Sequence, residues 1–204
     1  EYEAEISEFI LPTQTPTMTP THTPTPTKTP TPTPTVTPSS TPPTPFISVW
    51  KTTLPNQPIT LPLQGNGNYS FRVKWGDGQE DYITSYGQFE STHIYANPGT
   101  YTMYITGIID GYSFNKSGDN EKIYEIIQWG PLKLGNNGGY FKQCFNLVIT
   151  GVTDTLDLSS TSNLENMFDE INSSGFTFVK NMNSWDVSNV TNMRTMFAAC
   201  PKFN

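Results

Sequence analysis

The stretch WDVSNVTNMRTMFAAC, from Trp185 to Cys200, is one copy of a sequence repeat. A shift of 29 residues aligns it with the segment that begins at Leu156, and the two copies share Asp, Ser, Asn, Met and Phe at equivalent positions. A shift of 56 residues aligns Tyr140–Leu147 with Met196–Phe203 and places Cys144 over Cys200. A period in this range is typical of solenoid repeats, in which each unit covers its neighbour.

Each unit predicts a short strand followed by a short helix. The strand signals are Leu156–Leu158 and Trp185–Val187. Apolar residues then recur at the steps expected on one face of a helix: Leu164, Met167 and Phe168 in one unit, and Met193, Met196 and Phe197 in the next. Asn163 and Asn192 are predicted to be buried ladder residues that bond backbone groups between units.

Trp185–Met193, followed by Met196, Phe197 and Cys200, is very similar to the repeat of BspA-like leucine-rich-repeat surface proteins, over about residues 123–204. The resemblance implies a surface-exposed protein, in several cases an adhesin that binds host or matrix proteins. The segment Asp169–Phe178 departs from the pattern, because an insertion or a degraded end stands there in place of the usual Cys and Phe.

The middle of the chain reads as short strands joined by turns. In Tyr69–Trp75 every second residue is apolar, which predicts a half-buried strand. Asp77-Gly78 supplies a tight turn, and Asn97-Pro98-Gly99 precedes a second alternating stretch, Tyr101–Ile105. Short alternating strands with turns between them predict an antiparallel β-sandwich.

The order of four sequence elements in this region resembles a polycystic-kidney-disease (PKD) domain over residues 46–115. The elements are Trp75-Gly76-Asp77-Gly78, His93-Ile94-Tyr95, Pro98–Tyr101 and Ile105–Gly107. The resemblance implies an immunoglobulin-like sandwich, which serves as a spacer or a binding module in extracellular and virion surface proteins.

A Pro/Thr-rich tract precedes the sandwich. Residues 12–45 hold 12 prolines and 15 threonines, so the sequence predicts an extended, polyproline-II-like stalk of roughly 100 Å. The threonines are candidate O-glycosylation sites, the alternative being a bare spacer: Thr13, Thr15, Thr17, Thr19, Thr21, Thr23, Thr25, Thr27, Thr29, Thr31, Thr33, Thr35 and Thr37. The leader, residues 1–11, is either a disordered tip or a strand that docks on a neighbouring subunit.

The predicted fold class is mainly β. It comprises an acidic and apolar leader (1–11), the stalk (12–45), a PKD-like antiparallel β-sandwich (46–115), and a short leucine-rich-repeat-type solenoid (116–204) that is incomplete at its C-terminal end. Cys144 and Cys200 sit two units apart, about 10 Å at strand spacing, so no disulfide is expected between them.

Two kinds of site are suggested by the sequence. Asp77, Glu80 and Asp81 are weak calcium candidates, because they lie close together but lack the spacing of a dedicated calcium loop. They are otherwise ordinary turn acids. Asn-X-Ser/Thr sequons stand at Asn68, Asn115 and Asn172 as candidate N-glycosylation sites, and a further one at Asn189 is expected to be too enclosed.

The sequence gives no sign of catalysis. The two histidines, His22 in the stalk and His93 in a predicted strand, have no nucleophile and acid at motif spacing. We therefore predict that the protein is not an enzyme and uses no cofactor.

The net charge of −7 argues against nucleic acid as a partner. No run of 18 apolar residues occurs, so no membrane span is predicted.

The modules favour an extracellular, cell-surface or virion-surface protein that mediates adhesion or recognition by binding a protein or glycan on a cell or matrix surface. The alternative is a structural subunit of an extracellular filament or virion appendage, in which other copies of the chain are the partners. In that case the Pro/Thr segment, with or without O-linked sugars, packs between copies.

Overall fold

The computed structural model describes residues 43–203, which contain eight strands. The leader, residues 12–42 of the stalk and the candidate O-glycosylation threonines lie outside the described residues. The strands are β1 Phe46–Thr52, β2 Gln57–Thr60, β3 Leu63–Lys74, β4 Glu80–Ile83, β5 Thr92–Tyr95, β6 Gly99–Tyr112, β7 Ile123–Gln128 and β8 Leu132–Lys133.

The strands form one large sheet and one small one. The large sheet has the order β4-β3-β6-β1-β7, with antiparallel pairing throughout, and β8 adds to the far end of β6 in the parallel direction. The small sheet is the antiparallel pair β2-β5. The prediction of a mainly β fold with antiparallel sheets is therefore confirmed.

Alternation along β3 accounts for how the large sheet covers the core. Tyr69, Phe71, Val73 and Trp75 are all buried, as predicted, whereas Arg72 and Lys74 between them are exposed. The turn that follows depends on Gly76, whose φ is +89°. A Cβ at that position would lie 2.6 Å from the Thr102 carbonyl oxygen, so a larger residue would push β3 and β6 apart.

The large sheet continues past residue 115, where the sequence placed a domain boundary. β7 pairs with β1, and β8 pairs with Ile109 and Asp110 of β6. Because the buried side chains on both sides of residue 115 belong to one continuous core, the two predicted modules share a sheet and an interior.

Residues 113–203 stack through backbone hydrogen bonds between segments that are about one repeat apart. The N–H groups of Gly139, Phe141 and Gln143 donate to the carbonyls of Glu165, Met167 and Asp169 at 2.7–2.8 Å. The N–H groups of Leu164, Asn166, Phe168 and Glu170 donate in turn to Asn192, Arg194, Met196 and Ala198 at 2.7–3.0 Å. We call these three stretches, residues 139–144, 164–171 and 192–200, the turn ladder.

The predicted helix in each unit is wrong. Residues 43–203 contain no α-helix, and their only helical segments are two 3₁₀ turns, Phe89–Ser91 and Met182–Ser184. In the turn ladder, Asn166, Glu170, Thr195 and Ala199 have φ between +51° and +63°, which a right-handed helix does not allow. Every second N–H is therefore directed at the next segment instead of back along its own chain.

The predicted strands at Leu156–Leu158 and Trp185–Val187 are also absent from the structure, although Leu156, Leu158 and Trp185 are buried as expected.

The five positions shared by the two repeat copies each have a physical role. Asp157 and Asp186 accept hydrogen bonds from the Ser159 and Ser188 N–H groups at 2.9 and 3.0 Å. Asn163 and Asn192 do the same for Glu165 and Arg194 at 2.9 and 3.0 Å. The shared Met and Phe fill the core. The shared Asp and Asn thus cap turns with their side chains, the shared Ser supplies the N–H that Asp caps, and the shared Met and Phe build the interior.

Asn163 and Asn192 are half-buried, and their amide nitrogens reach the neighbouring segment as predicted for ladder residues. Asn163 Nδ2 donates to the Asn136 carbonyl at 3.2 Å, but Asn192 Nδ2 donates to the Glu165 carboxylate at 3.1 Å rather than to a backbone group. The prediction that these side chains bond backbone groups of the neighbouring unit is thus confirmed for Asn163 only.

An aromatic stack runs through the interior of the turn ladder. Phe141 and Phe168 lie nearly parallel with ring centroids 5.8 Å apart, and Phe168 and Phe197 follow at 5.4 Å. The segment Asp169–Phe178 is not degraded, because Ile171 is buried at the position of the cysteine and Phe176 packs on Phe203 at 5.5 Å. Cys144 and Cys200 are free thiols.

Among residues 43–203, no helix has the length and apolar character that a membrane crossing requires.

We predict that Phe168→Ala lowers the free energy of unfolding by about 3–5 kcal/mol, because it removes the middle ring of the stack and leaves a cavity. Urea denaturation measures this loss. Phe178→Ala is the matched control: Phe178 is 47% exposed, and its removal should change the free energy by less than about 0.5 kcal/mol. Equal effects of the two substitutions would contradict the role of the stack.

Candidate binding site

The three acids suggested as calcium ligands are engaged by three different partners. Asp77 pairs with His93 Nε2 at 2.7 Å, Glu80 pairs with Arg72 at 2.6 Å, and Asp81 accepts a hydrogen bond from Trp75 Nε1 at 2.8 Å. Within residues 43–203, no three His, Cys, Asp or Glu side chains come together as metal ligands. Closeness in sequence does not bring these carboxylates to a common point.

The Asp77–His93 pair is part of a cluster of packed side chains. His93 lies in β5, as predicted, and stacks on Trp75 with ring centroids 4.9 Å apart. Tyr95, two residues after His93 in β5, donates a hydrogen bond from its hydroxyl to the Trp75 carbonyl at 2.8 Å. Burial raises the pKa of Asp77, but hydrogen bonds from His93 and the Gln79 N–H outweigh it and hold the pKa below its usual value. The cluster fastens the β3–β4 turn to β5.

The N-glycosylation candidates lie on the surface. Asn68, Asn115 and Asn172 are exposed. Asn189 is exposed as well, which corrects the expectation that it is enclosed, although its Nδ2 donates to the Ser159 carbonyl at 3.2 Å.

The outer surface of the turn ladder carries polar side chains that are bonded from one segment to the next. Four such hydrogen bonds, at 2.5–3.1 Å, join Lys142 to Asp169, Gln143 to Glu170, Asn192 to Glu165, and Thr195 to Asn166. The Lys142 and Asp169 side chains are only 15% and 10% exposed. The rows of polar groups are therefore held in fixed positions rather than left free in solvent.

A polar cleft of about 340 Å³ lies at one end of this surface. We call it the junction cleft. It is lined by Lys51 of β1, Gln57 of β2, the connection Gly118–Lys122, Tyr124 of β7 and Asn146. The Lys51 ammonium group lies 5.4 Å from the centre of the Tyr124 ring, so a cation and an aromatic ring occupy the same wall.

Hydrogen bonds fix the walls of the junction cleft. Asp119 accepts from the Thr60 N–H at 2.6 Å and pairs with Lys122, whose ammonium also donates to the Pro58 carbonyl at 2.7 Å. These bonds tie the connection between β6 and β7 to β2. The cleft is thus preformed, within the size range of small-molecule and sugar sites.

The junction cleft is continuous with the turn ladder. Asn120 is buried and donates from Nδ2 to the Gln143 carbonyl at 2.6 Å, and Asn146 donates to the Glu121 carbonyl at 2.7 Å. Its residues come from four parts of the sequence, between Lys51 and Asn146. No local motif marks them, and the sequence analysis did not identify the cleft.

Comparisons with known proteins bear on the second half of the chain. Residues 113–204 match the model of a family described as "Mycoplasma protein of unknown function, DUF285". This range includes β7, β8 and the turn ladder and overlaps the region in which the sequence predicted repeats. No curated protein and no solved structure matches the chain. The resemblances to BspA-like repeats and to PKD domains stay predictions.

We predict that Asp77→Asn lowers the melting temperature at pH 7, and that the difference from the natural chain shrinks near pH 2.5. The folded pKa of Asp77 is lowered, so its stabilising contribution is present above the unfolded pKa of about 3.9 and is lost as the pH falls through the folded pKa. Thermal melts followed by circular dichroism measure the difference. Glu90→Gln, at an exposed position before β5, is the control; an Asp77→Asn difference that stays constant with pH would refute the linkage.

Proposed function

We propose that this chain is a non-enzymatic, extracellular surface protein that mediates adhesion or recognition, and that it contacts its partner through the turn ladder and the junction cleft. The observation that supports this most strongly is the rigid polar surface of the turn ladder. Its side chains are hydrogen-bonded from segment to segment and end at a preformed cleft. A surface fixed before binding loses little conformational entropy when a partner docks.

We further interpret the turn ladder as a leucine-rich-repeat-type solenoid in which turns replace the helix of each unit. Support comes from the in-register backbone bonds and from the apolar side chains, which find cover only on neighbouring segments. A stack of this kind offers an extended face whose length grows with each added unit.

The chemistry of the junction cleft favours a partner that carries hydroxyl groups, as surface glycans and glycoproteins do. Gln57, Asn120 and Asn146 line it with amide groups, of which Asn120 and Asn146 keep their Oδ1 atoms for a partner, and the Tyr124 ring stands in the same wall with the Lys51 ammonium over it. Sugars combine these same two surfaces, a polar edge and an apolar ring face.

A structural subunit of a filament or virion appendage is the second candidate function. The observation that favours it is a surface groove whose wall includes Pro43 and Pro45, the last prolines of the Pro/Thr tract.

To test the first function, the full chain is applied to an immobilised panel of mammalian N-glycans, O-glycans, collagen, fibronectin and laminin. We predict measurable binding to at least one member, and about 10-fold or greater loss with the double variant Lys51→Ala/Tyr124→Ala. The matched control is Lys180→Ala/Tyr86→Ala, which removes the same two residue types at exposed positions outside the cleft.

Two results would count against the proposal. A natural chain that binds no panel member would argue against recognition of surface glycans or matrix proteins. Equal loss in the cleft variant and the control variant would argue against the junction cleft as the site.

A further inference from the structure

The large sheet has an outer face that the repeat region leaves exposed. Along β3, Arg72 and Lys74 point away from the buried Phe71 and Val73. Pairing places Arg72 between Tyr82 of β4 and Thr106 of β6, and Lys74 between Glu80 and Tyr104. Since side chains alternate along a strand, these residues stand on one face.

This outer face is more apolar than a solvated sheet face usually is. Tyr82, Tyr104 and Ile108 are 55%, 42% and 52% exposed. Between the Tyr104 side and the start of β1 lies a groove of about 790 Å³, which we call the outer-face groove. Its lining comprises Arg72, Lys74, Glu80, Tyr104 and Thr106 of the sheet together with Pro43 and Pro45.

The chain itself holds a Pro-Thr-Pro sequence against this groove. Pro43-Thr44-Pro45 leads into β1, and the Pro45 carbonyl accepts a hydrogen bond from Gln128 Nε2 at 2.7 Å. Gly130 packs so closely that a Cβ there would lie 2.3 Å from the Pro45 carbonyl oxygen. Pro45 is therefore fixed in place at the edge of the groove.

We propose that the outer-face groove binds a second Pro-Thr-Pro segment in the polyproline II conformation, and that the Pro/Thr-rich tract of a second copy of this chain supplies it. Pro-Thr-Pro recurs at residues 24–26 and 30–34. A polyproline II segment has no internal hydrogen bonds, so its carbonyls need donors from outside. Lys74 and the Tyr104 hydroxyl supply donors, and Arg72 adds the N–H groups that its pairing with Glu80 leaves free. The Tyr104 ring supplies the apolar face on which prolines dock.

Two features of the sequence favour a second copy as the source. Between residues 12 and 45 there is no glycine, asparagine or aspartate, the residues that supply positive φ in tight turns, and a sequence this rich in proline favours an extended chain. The same stretch contains no acidic residue and one lysine, Lys28, so a chain of net charge −7 meets no like-charge repulsion from it. The proposal is independent of the recognition function and supplies a mechanism for the structural-subunit function.

The test titrates a synthetic peptide with the sequence of residues 23–35 into the full chain and follows binding by isothermal calorimetry. We expect saturable binding, about 10-fold weaker binding to Tyr104→Ala, and several-fold weaker binding to Arg72→Ala, which removes the guanidinium donors with the aliphatic stem of the side chain but leaves the Tyr104 ring in place. Tyr86→Ala, at a tyrosine 60% exposed outside the groove, should bind like the natural chain. A control peptide with every proline replaced by alanine should not bind.

Sedimentation velocity of the full chain then tests the source of the segment. Concentration-dependent association that excess peptide reverses would support a second copy. Peptide binding without self-association would overturn the second copy as the source. Absence of peptide binding, or equal binding by Tyr104→Ala, Arg72→Ala and the natural chain, would overturn the groove itself. None of these negative outcomes would count against the recognition function, which is tested with variants of the junction cleft.

Discussion

The parallel hydrogen bonding between segments of the turn ladder is the constraint on which the second half of the molecule depends. Every second N–H in residues 164–170 has its acceptor in the next segment, so no segment satisfies its own backbone. The same register brings Phe141, Phe168 and Phe197 into one stack, at 5.8 and 5.4 Å. Backbone pairing and core packing are therefore two results of one spacing, and neither can form without the other.

The sequence predicted those parts of the fold that rest on local pattern. Alternation in Tyr69–Trp75 identified the inner face of β3, and the shift of 29 residues identified which Met and Phe belong to the core. Residues that are identical in the two repeat copies also have structural roles, since Asp157 and Asn163 cap turns. Each of these inferences needed only residues close together in the chain.

The features that the sequence did not predict depend instead on residues that are far apart in the chain. Apolar residues three and four apart are equally compatible with a helix and with a row of turns. The turns form because the N–H groups have acceptors one repeat away, which allows positive φ at Asn166 and Thr195. The sheet continues across the predicted boundary at residue 115 because β7 pairs with β1, about 75 residues earlier. The junction cleft was invisible for the same reason: Lys51, Tyr124 and Asn146 meet only once the sheet and the first segments are assembled.

The position of β1 links the Pro/Thr tract to the rest of the structure. Phe46–Thr52 follows the tract directly and pairs along its full length with β6, and over most of its length with β7. A pull on the tract therefore acts along β1, and withdrawing the strand would require both rows of hydrogen bonds to break together and Phe46 and Trp50, which are fully buried, to leave the core. Because β7 also bonds to Val148 of the repeat region, the load passes from the tract through the centre of the sheet to the turn ladder. The start of β1 is thus connected to the repeat region through paired backbone rather than through a loop.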